Sequence, residues 1–161
     1  MYTHYIQLTY MSMKLEDAIQ QKAFKDPYNK AVVNILYTHS YLVTRQNRLF
    51  KPHDISPEQY NVLRILRGQD PKPTTVSSIQ ERMLNKMSNA SRLVEKLKQK
   101  GLVERKECPS DRRQVDVSIT SKGLELLELL EEEISQFNHQ VIGLTQEEVE
   151  QLNLLLDKMR V

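Results

Sequence analysis

Two arginines and an acid near a predicted turn give the first indication of chemistry in this 161-residue sequence. Asp111, Arg112 and Arg113 lie at the tip of a two-stranded hairpin predicted over residues 106–117. Folding does not require two like charges at such a tip, because water already solvates them. The narrow minor groove of DNA has a concentrated negative potential that attracts an inserted arginine. The sequence therefore predicts a hairpin that binds a polyanion, with Asp111 pairing locally to stiffen the tip.

A second group of polar side chains lies on a basic helix predicted from Lys86 to Lys100. At helical spacing, Ala90, Leu93, Val94 and Leu97 form one apolar face, which we assign to the core. The remaining surface and the preceding short helix carry the candidate DNA-binding side chains, which are Thr75, Ser77, Lys86, Ser88, Asn89, Ser91, Arg92 and Lys96. In a major groove, arginine reads guanine, asparagine reads adenine and serine adapts to either. The alternative is an ordinary solvated amphipathic helix, and Glu95 on the outward face counts against DNA contact.

The distribution of charge supports a localised polyanion-binding surface. The net charge is only +2, but residues 86–113 contain nine Lys and Arg against four Asp and Glu. Residues 123–151 contain eight Glu and no Lys or Arg. A basic block beside an acidic block is typical of a chain that binds a polyanion on one face. Two solvated helices of opposite charge are the alternative explanation.

The elements that must position these residues are mainly helical. Asp26-Pro27 predicts the start of a helix of about 24 residues that ends near Pro52. Ser56 to Gln59 form a capping box, and Thr74 or Thr75 caps the next short helix. A turn at Leu84-Asn85 leads to the basic helix, which gives a helix-turn-helix pattern. Strands at 102–107 and 115–119 flank a connection over 108–114, and Thr120 and Thr145 cap two final helices.

Several classes of protein are excluded by what the sequence lacks. It has no glycine-rich phosphate loop, no metal-ligand spacing of Cys or His and no nucleophile motif, so we expect neither an enzyme nor a cofactor. No run approaches the roughly 18 apolar residues of a membrane span. The sequence has a single cysteine, Cys108, which cannot form an intrachain disulfide, and we recognise no signal peptide. Both observations predict a protein of the cytoplasm.

The residues of the basic helix and hairpin resemble the multiple antibiotic resistance regulator (MarR) family. The resemblance is carried by Leu93-Val94-Glu95-Lys96-Leu97, Lys100-Gly101-Leu102-Val103-Glu104-Arg105, Asp111-Arg112-Arg113 and Ile119-Thr120-Ser121-Lys122-Gly123. It extends over about residues 28–160. It implies a winged helix-turn-helix core, residues 54–122, flanked by dimerisation helices at 26–53 and 123–161, with residues 1–25 as an N-terminal extension.

The same resemblance implies how the candidate residues act. Arg113 is the wing arginine that enters the minor groove, Asp111 is its partner, and Arg112 is an additional contact. The recognition-helix positions are Ser88, Asn89, Ser91 and Arg92. The family implies an obligate homodimer that binds double-stranded DNA. Members typically repress genes and release DNA on binding a small phenolic ligand or on oxidation of a cysteine.

The resemblance also implies a pocket for a phenolic or aromatic carboxylate effector. His39, Tyr41, Arg45 and Tyr60 are the candidate linings, because such ligands require aromatic walls and a cation. Packing or surface positions are the alternative for each, and His39 fits a buried core histidine. The first long helix contains tyrosines but no cysteine, so oxidation sensing of the usual kind is not expected, and we interpret Cys108 as incidental.

Taken together, the sequence predicts a sequence-specific DNA-binding transcriptional regulator that acts as a homodimer on a palindromic operator. The principal alternative is a winged-helix module for protein–protein contact that uses its acidic C-terminal helices. A winged helix that binds RNA or DNA by shape alone is a further alternative.

Overall fold

The computed structural model describes the backbone of residues 13–108 and 111–160, and the side chains of residues 13–106 and 115–160. The helices in this part of the chain are α1 Leu15–Ala18, α2 Pro27–Phe50, α3 Pro57–Arg67, α4 Val76–Arg82, α5 Ala90–Gln99, α6 Ser121–Ile142 and α7 Gln146–Met159. The strands are β1 Thr74–Thr75, β2 Val103–Cys108 and β3 Asp111–Ile119. A mainly helical chain with a small β-hairpin was predicted, and the fold class is confirmed.

The chain divides into two compact units, and the boundary falls after Arg45, inside α2. In the first unit, Lys30 on α2 pairs with Glu16 on α1, with 2.6 Å between Nζ and Oε1. The hydrogen bond from Lys30 holds the pKa of the Glu16 carboxyl below its ordinary value. This pair therefore fastens the short N-terminal helix to the start of the long one.

The second unit contains the winged helix, built from α3, α4, α5 and a three-stranded antiparallel sheet of order β1-β3-β2. The side chains that are essentially inaccessible to solvent include Val62, Leu63, Leu66, Ile79, Met83, Val94, Leu97, Val117 and Leu130. They come from α3, α4, α5, β3 and α6, which together enclose one apolar core. The sequence predicts the apolar face of α5 correctly, since Ala90, Val94 and Leu97 are all buried.

The helix ends follow the predicted capping residues closely. Ser56 forms a complete capping box with Gln59 at the start of α3. Thr120 Oγ1 accepts a hydrogen bond from the Gly123 backbone N–H at 3.1 Å, which starts α6. Thr145 forms a second capping box, at the start of α7. These short polar side chains satisfy N–H groups that a helix leaves unpaired in its first turn.

Two of the predicted boundaries are wrong in detail, and one strand was not predicted. The basic helix begins at Ala90 and not at Lys86, because Asn89 is its N-cap and residues 84–89 form an irregular turn. The hairpin connection is shorter than predicted, since β3 already begins at Asp111. The predicted threonine cap is Thr75, but Thr74 and Thr75 also form β1, a strand that pairs with Val117 and Asp116 of β3 and that we did not predict.

Helices α2 and α7 bury little of their apolar surface in the single chain. On α2 the exposed large hydrophobic residues are Tyr28, Val32, Ile35, Leu36, Tyr37 and Tyr41. On α7 they are Leu152, Leu154, Leu155 and Met159, and no residue of that helix is buried. His39 is also exposed, so its interpretation as a core histidine is wrong for this chain, because its helix face has no covering layer.

Candidate nucleic-acid interface

Helices α4 and α5 form the helix-turn-helix, and α5 packs into the core through one face. Its buried side chains pack into the core with Ile79 of α4 and with Met83, which follows that helix. The opposite face leaves Ser91, Arg92 and Lys96 exposed to solvent. The helix therefore presents two cations and a hydroxyl on a rigid support, as direct reading of base edges requires.

The turn between α4 and α5 is organised by amide side chains. Asn61 Oδ1 accepts from the Leu84 backbone N–H at 3.0 Å, and Asn85 Oδ1 accepts from the Met87 N–H at 3.0 Å. Gln80 makes two contacts, donating from Nε2 to the Lys86 carbonyl oxygen and accepting at Oε1 from the Ala90 N–H, each at 3.0 Å. Gln80 thus fixes both ends of the segment that precedes α5. Sequence reasoning missed Asn61 and Gln80, since nothing in their spacing marks them.

Three of the predicted DNA-binding side chains have intrachain partners. Asn89 Oδ1 accepts from the Arg92 backbone N–H at 2.9 Å, and Thr75 Oγ1 accepts from the Ser78 N–H at 3.1 Å. Both residues are therefore helix N-caps, with their donor groups left over for other contacts. Lys86 Nζ donates to the backbone carbonyl of Glu81, which holds its ammonium group beside the end of α4.

Seven of the predicted residues line two adjoining surface depressions. Between α4, the turn and the start of α5, one depression is lined by Ser77, Lys86, Ser88, Asn89 and Ser91, together with Val76, Gln80, Glu81 and Met87. Between the start of α3 and α5, the other is lined by Ser88, Asn89, Arg92 and Lys96, together with Ser56, Glu58 and Leu93. Ser88 and Asn89 line both depressions, so the two adjoin. We refer to the seven predicted residues as the reading surface.

Three other residues near the reading surface are a predicted contact, Thr75, and two acids, Glu58 and Glu81. Thr75 lines neither depression, and its hydroxyl is engaged as the N-cap of α4. Glu58 and Glu81 each line one of the two depressions, and Glu58 Oε2 accepts a hydrogen bond from Ser56 Oγ at 2.8 Å.

Glu95, which counted against DNA contact in the sequence, is half-buried and has a partner on the hairpin. Its Oε2 lies 3.3 Å from Nη1 of Arg105 on β2. The guanidinium offsets the carboxylate charge, so Glu95 does not present a bare anion beside Arg92. The pair joins α5, which we call the reading helix, to the hairpin.

The hairpin is described by its backbone near the tip. The side chains of Cys108, Asp111, Arg112 and Arg113 lie outside the described residues. Glu107 pairs with Val115, whereas the next residue pairs with Asp111, so the register shifts and Arg112 and Arg113 fall within the irregular part of β3. The two arginines that were predicted for a loop thus belong to a strand.

Comparison with known proteins identifies the family. The model of the MarR family matches residues 55–115. The HTH-type transcriptional repressor IacR of Pseudomonas putida is 30% identical over 120 residues, which cover 74% of this chain and 71% of that protein. The chain belongs to the MarR family. Its members are transcriptional regulators and not enzymes, and this chain is a DNA-binding regulator of that family.

Two further MarR-family comparisons agree with this assignment. The HTH-type transcriptional regulator MhqR of Bacillus subtilis is 29% identical over 114 residues, covering 70% of this chain and 77% of that protein. The crystal structure of a mutant of Escherichia coli MarR complexed with operator DNA superimposes with a TM-score of 0.70 at 26% identity, covering 83% of this chain and 98% of that chain. That relative was crystallised on DNA with the same fold.

The residues predicted to bind an effector lie on two helices. On α2 the guanidinium carbon of Arg45 lies 4.7 Å from the centre of the Tyr41 ring, a cation–π contact, and His39 is exposed on the same helix. On α3 the Tyr60 ring stacks on Phe50 with 4.8 Å between centroids. His39, Tyr41 and Arg45 belong to the first compact unit, and Tyr60 belongs to the second.

Two kinds of feature are absent from the described residues. No cluster of three or more His, Cys, Asp or Glu side chains in them is arranged to bind a metal ion. Among the helices of that same part of the chain, none combines the length and the apolar character that crossing a bilayer demands.

Proposed function

We propose that this MarR-family chain is a repressor that binds a palindromic operator as a homodimer and is released by a small aromatic ligand. The observation that carries the proposal is that seven side chains selected from the sequence line two adjoining depressions around the start of α5. In this proposal α5 enters the major groove, where Arg92 and Asn89 contact base edges. Arg113 enters the adjacent minor groove from the hairpin, with Arg112 as a further contact and Asp111 as its support.

Homodimer formation is supported by the exposed apolar faces of α2 and α7. Leu154, Leu155 and Met159 on α7 each leave more than half of their surface in water. Exposed apolar stretches of this kind are typical of protein interfaces. The helices of 26–53 and 123–161 are therefore proposed as the dimerisation elements around the DNA-binding domain of 54–122.

Repression is supported by the name of the Pseudomonas putida relative, a transcriptional repressor. A dimer that covers a promoter excludes RNA polymerase by occupancy alone, so repression needs no further activity. The effector is proposed as a small phenol or aromatic carboxylate that contacts His39, Tyr41, Arg45 and Tyr60. The Arg45 guanidinium beside the Tyr41 ring supports this, because a carboxylate on an aromatic ring matches both groups.

The decisive experiment is selection of duplexes from a random pool by the full chain, followed by affinity measurements on the enriched sequence. A dimer with two reading helices should enrich a palindrome whose half-sites lie about 10 bp apart. Arg92→Ala should weaken binding by about 1–3 kcal/mol and relax the preference at one position of each half-site. Arg113→Ala should weaken binding across sequences while the dimer, measured by analytical ultracentrifugation, persists.

The control is Arg67→Ala, because Arg67 lies at the end of α3 beside Glu131 of α6 and outside the reading surface. Its affinity for the enriched duplex should stay within about twofold of the parent protein. If no sequence is enriched and both arginine variants bind like the parent, the operator-binding proposal is wrong. Release is tested separately with a series of hydroxybenzoates, which should raise the melting temperature of the parent protein and lower its affinity for DNA.

A further inference from the structure

The turn before α5 exposes two large apolar side chains that the reading surface does not yet explain. Met87 is 92% exposed and Leu84 is 87% exposed, the highest values for large hydrophobic residues in the described part of the chain. Turns are normally polar, and an apolar side chain here gains nothing from the core. The two residues differ in position, however, since Met87 lines the depression between α4 and α5 and Leu84 does not.

Met87 is held in place by its backbone while its side chain is free. Its N–H donates to Asn85 Oδ1, and the Gln80 amide fixes the residues on either side through Lys86 and Ala90. The thioether side chain therefore projects from a fixed position, next to Lys86 and Ser88 of the reading surface. A cation and hydroxyl groups around a methionine disfavour an apolar protein partner and favour one that carries both phosphates and a small apolar group.

Duplex DNA offers one apolar group of that kind in the major groove. The C5-methyl of thymine is the only methyl group on the four base edges, and apolar side chains contact it in known complexes. Methionine is flexible and polarisable, so it adapts to a methyl group whose position varies with the docking geometry. Removing one methyl group from water contributes about as much as one buried CH₂, which corresponds to about fourfold in affinity.

We infer that Met87 contacts a thymine methyl group in each half-site and so makes thymine at that position part of the recognised sequence. The inference rests on the proposed operator binding, which supplies the major groove in which α5 lies. The polar side chains of the reading surface recognise hydrogen-bonding groups on the bases and not a methyl group. Met87 would therefore determine specificity at a position that serine, asparagine and arginine do not distinguish.

The test uses the duplex enriched by selection and the same duplex with deoxyuridine in place of every thymine. Deoxyuridine keeps the Watson–Crick pairing and removes only the methyl group. The parent protein should lose about fourfold in affinity for each methyl group contacted, or about 15-fold for two half-sites. Met87→Ala should bind the thymine duplex more weakly than the parent and lose no more than about twofold on the change to deoxyuridine.

Two further variants make the result specific to Met87. Leu84→Ala removes an equally exposed side chain from the same turn and should keep the full dependence on the methyl group. Met87→Leu retains an apolar side chain and should keep most of it. Because both side chains are exposed, all three variants should melt within a few degrees of the parent protein, which circular dichroism checks.

Three outcomes would overturn the inference. The first is an enriched sequence without thymine in its half-sites, and the second is a parent protein that binds both duplexes equally. The third is an equal loss on deoxyuridine substitution for the parent and Met87→Ala, which would assign the methyl contact to another residue. Each of these differs from failure of operator binding, in which no sequence is enriched at all.

Discussion

Similar apolar patterns are buried in the winged-helix region and exposed on the terminal helices α2 and α7. Leu97 of α5 repeats at helical spacing with Val94 and is completely buried. Leu155 of α7 repeats in the same way with Leu152, yet about half of its surface is exposed. The winged-helix region, with α3 to α6 and the three strands, encloses its own core, and we call it the closed region. Helices α2 and α7 present apolar faces that only another surface can cover, and we call them the open region.

This difference separates two contributions to stability. A side chain buried within one chain stabilises the fold at any protein concentration. A side chain buried only by a partner stabilises it in proportion to the fraction of dimer, because association is linked to folding by mass action. The concentration dependence of the unfolding free energy therefore distinguishes the two regions, and Leu97 and Leu155 are the first residues to substitute.

The largest effect is expected from Leu97→Ala. The side chain has no exposure, so its truncation leaves a cavity in the core and should lower the free energy of unfolding by about 2–5 kcal/mol. Urea denaturation, followed by circular dichroism, measures this. The decrease should be the same at low and high protein concentration, because the cavity lies within one chain.

Leu155→Ala is the matched variant on the exposed face of α7. Its effect should grow with protein concentration and should coincide with a weaker dimer in sedimentation experiments. A loss for Leu155→Ala as large as that for Leu97→Ala, at every concentration, would contradict the division into a closed and an open region.

A smaller effect is expected where two segments of the closed region approach most tightly. A Cβ atom at Gly123 would lie 2.4 Å from the Leu102 carbonyl oxygen and 2.7 Å from Cγ1 of Ile119. The first of these is backbone and cannot move aside, so Gly123→Ala should cost about 1–3 kcal/mol in unfolding free energy. Thermal denaturation should show the loss at all protein concentrations.

Gly68→Ala is the control for that substitution. Gly68 ends α3 with right-handed helical angles, and a Cβ there meets only ordinary contacts at 3.6 Å or more. Alanine restricts the unfolded chain and should leave stability unchanged or raise it by about 0.4–1 kcal/mol. If both variants lose the same stability, the close approach at Gly123 is not the cause.

The sequence predicted the elements of the closed region well because their signals are local. Ser56, Thr120 and Thr145 each precede a helix by one residue, and their hydroxyls cap it as expected. The family signature placed the reading helix and hairpin in the right order. The fold class and the location of most candidate DNA contacts could therefore be predicted from the residues alone.

The details that failed depend on contacts between distant residues. The start of α5 was misplaced by four residues, because Gln80 and Asn61 shape the turn through hydrogen bonds that no local pattern reveals. The partner of Glu95 is Arg105, on another element. Periodicity alone indicates that the apolar faces of α2 and α7 are covered but not by what, and only the resemblance to the family predicted these helices as dimerisation elements.

The smallest effect on stability is expected at a residue of the closed region that has two assignments. Asn89 caps α5 through Oδ1, and it also belongs to the proposed reading surface. Asn89→Ala should lower the unfolding free energy by about 0.5–2 kcal/mol, independently of protein concentration, because the cap is local to one chain. It should also reduce the affinity for the enriched duplex.

Asn89→Ser distinguishes the two assignments. Serine is as good an N-cap as asparagine, so this variant should regain the stability lost in Asn89→Ala. A serine hydroxyl does not form the two hydrogen bonds of asparagine with adenine, so the preference at the contacted base should stay relaxed. Full recovery of both stability and base preference would mean that Asn89 acts on DNA only by starting the helix. In that case direct contact with the base edges would depend on Arg92 and its neighbours and not on Asn89, the N-cap of α5.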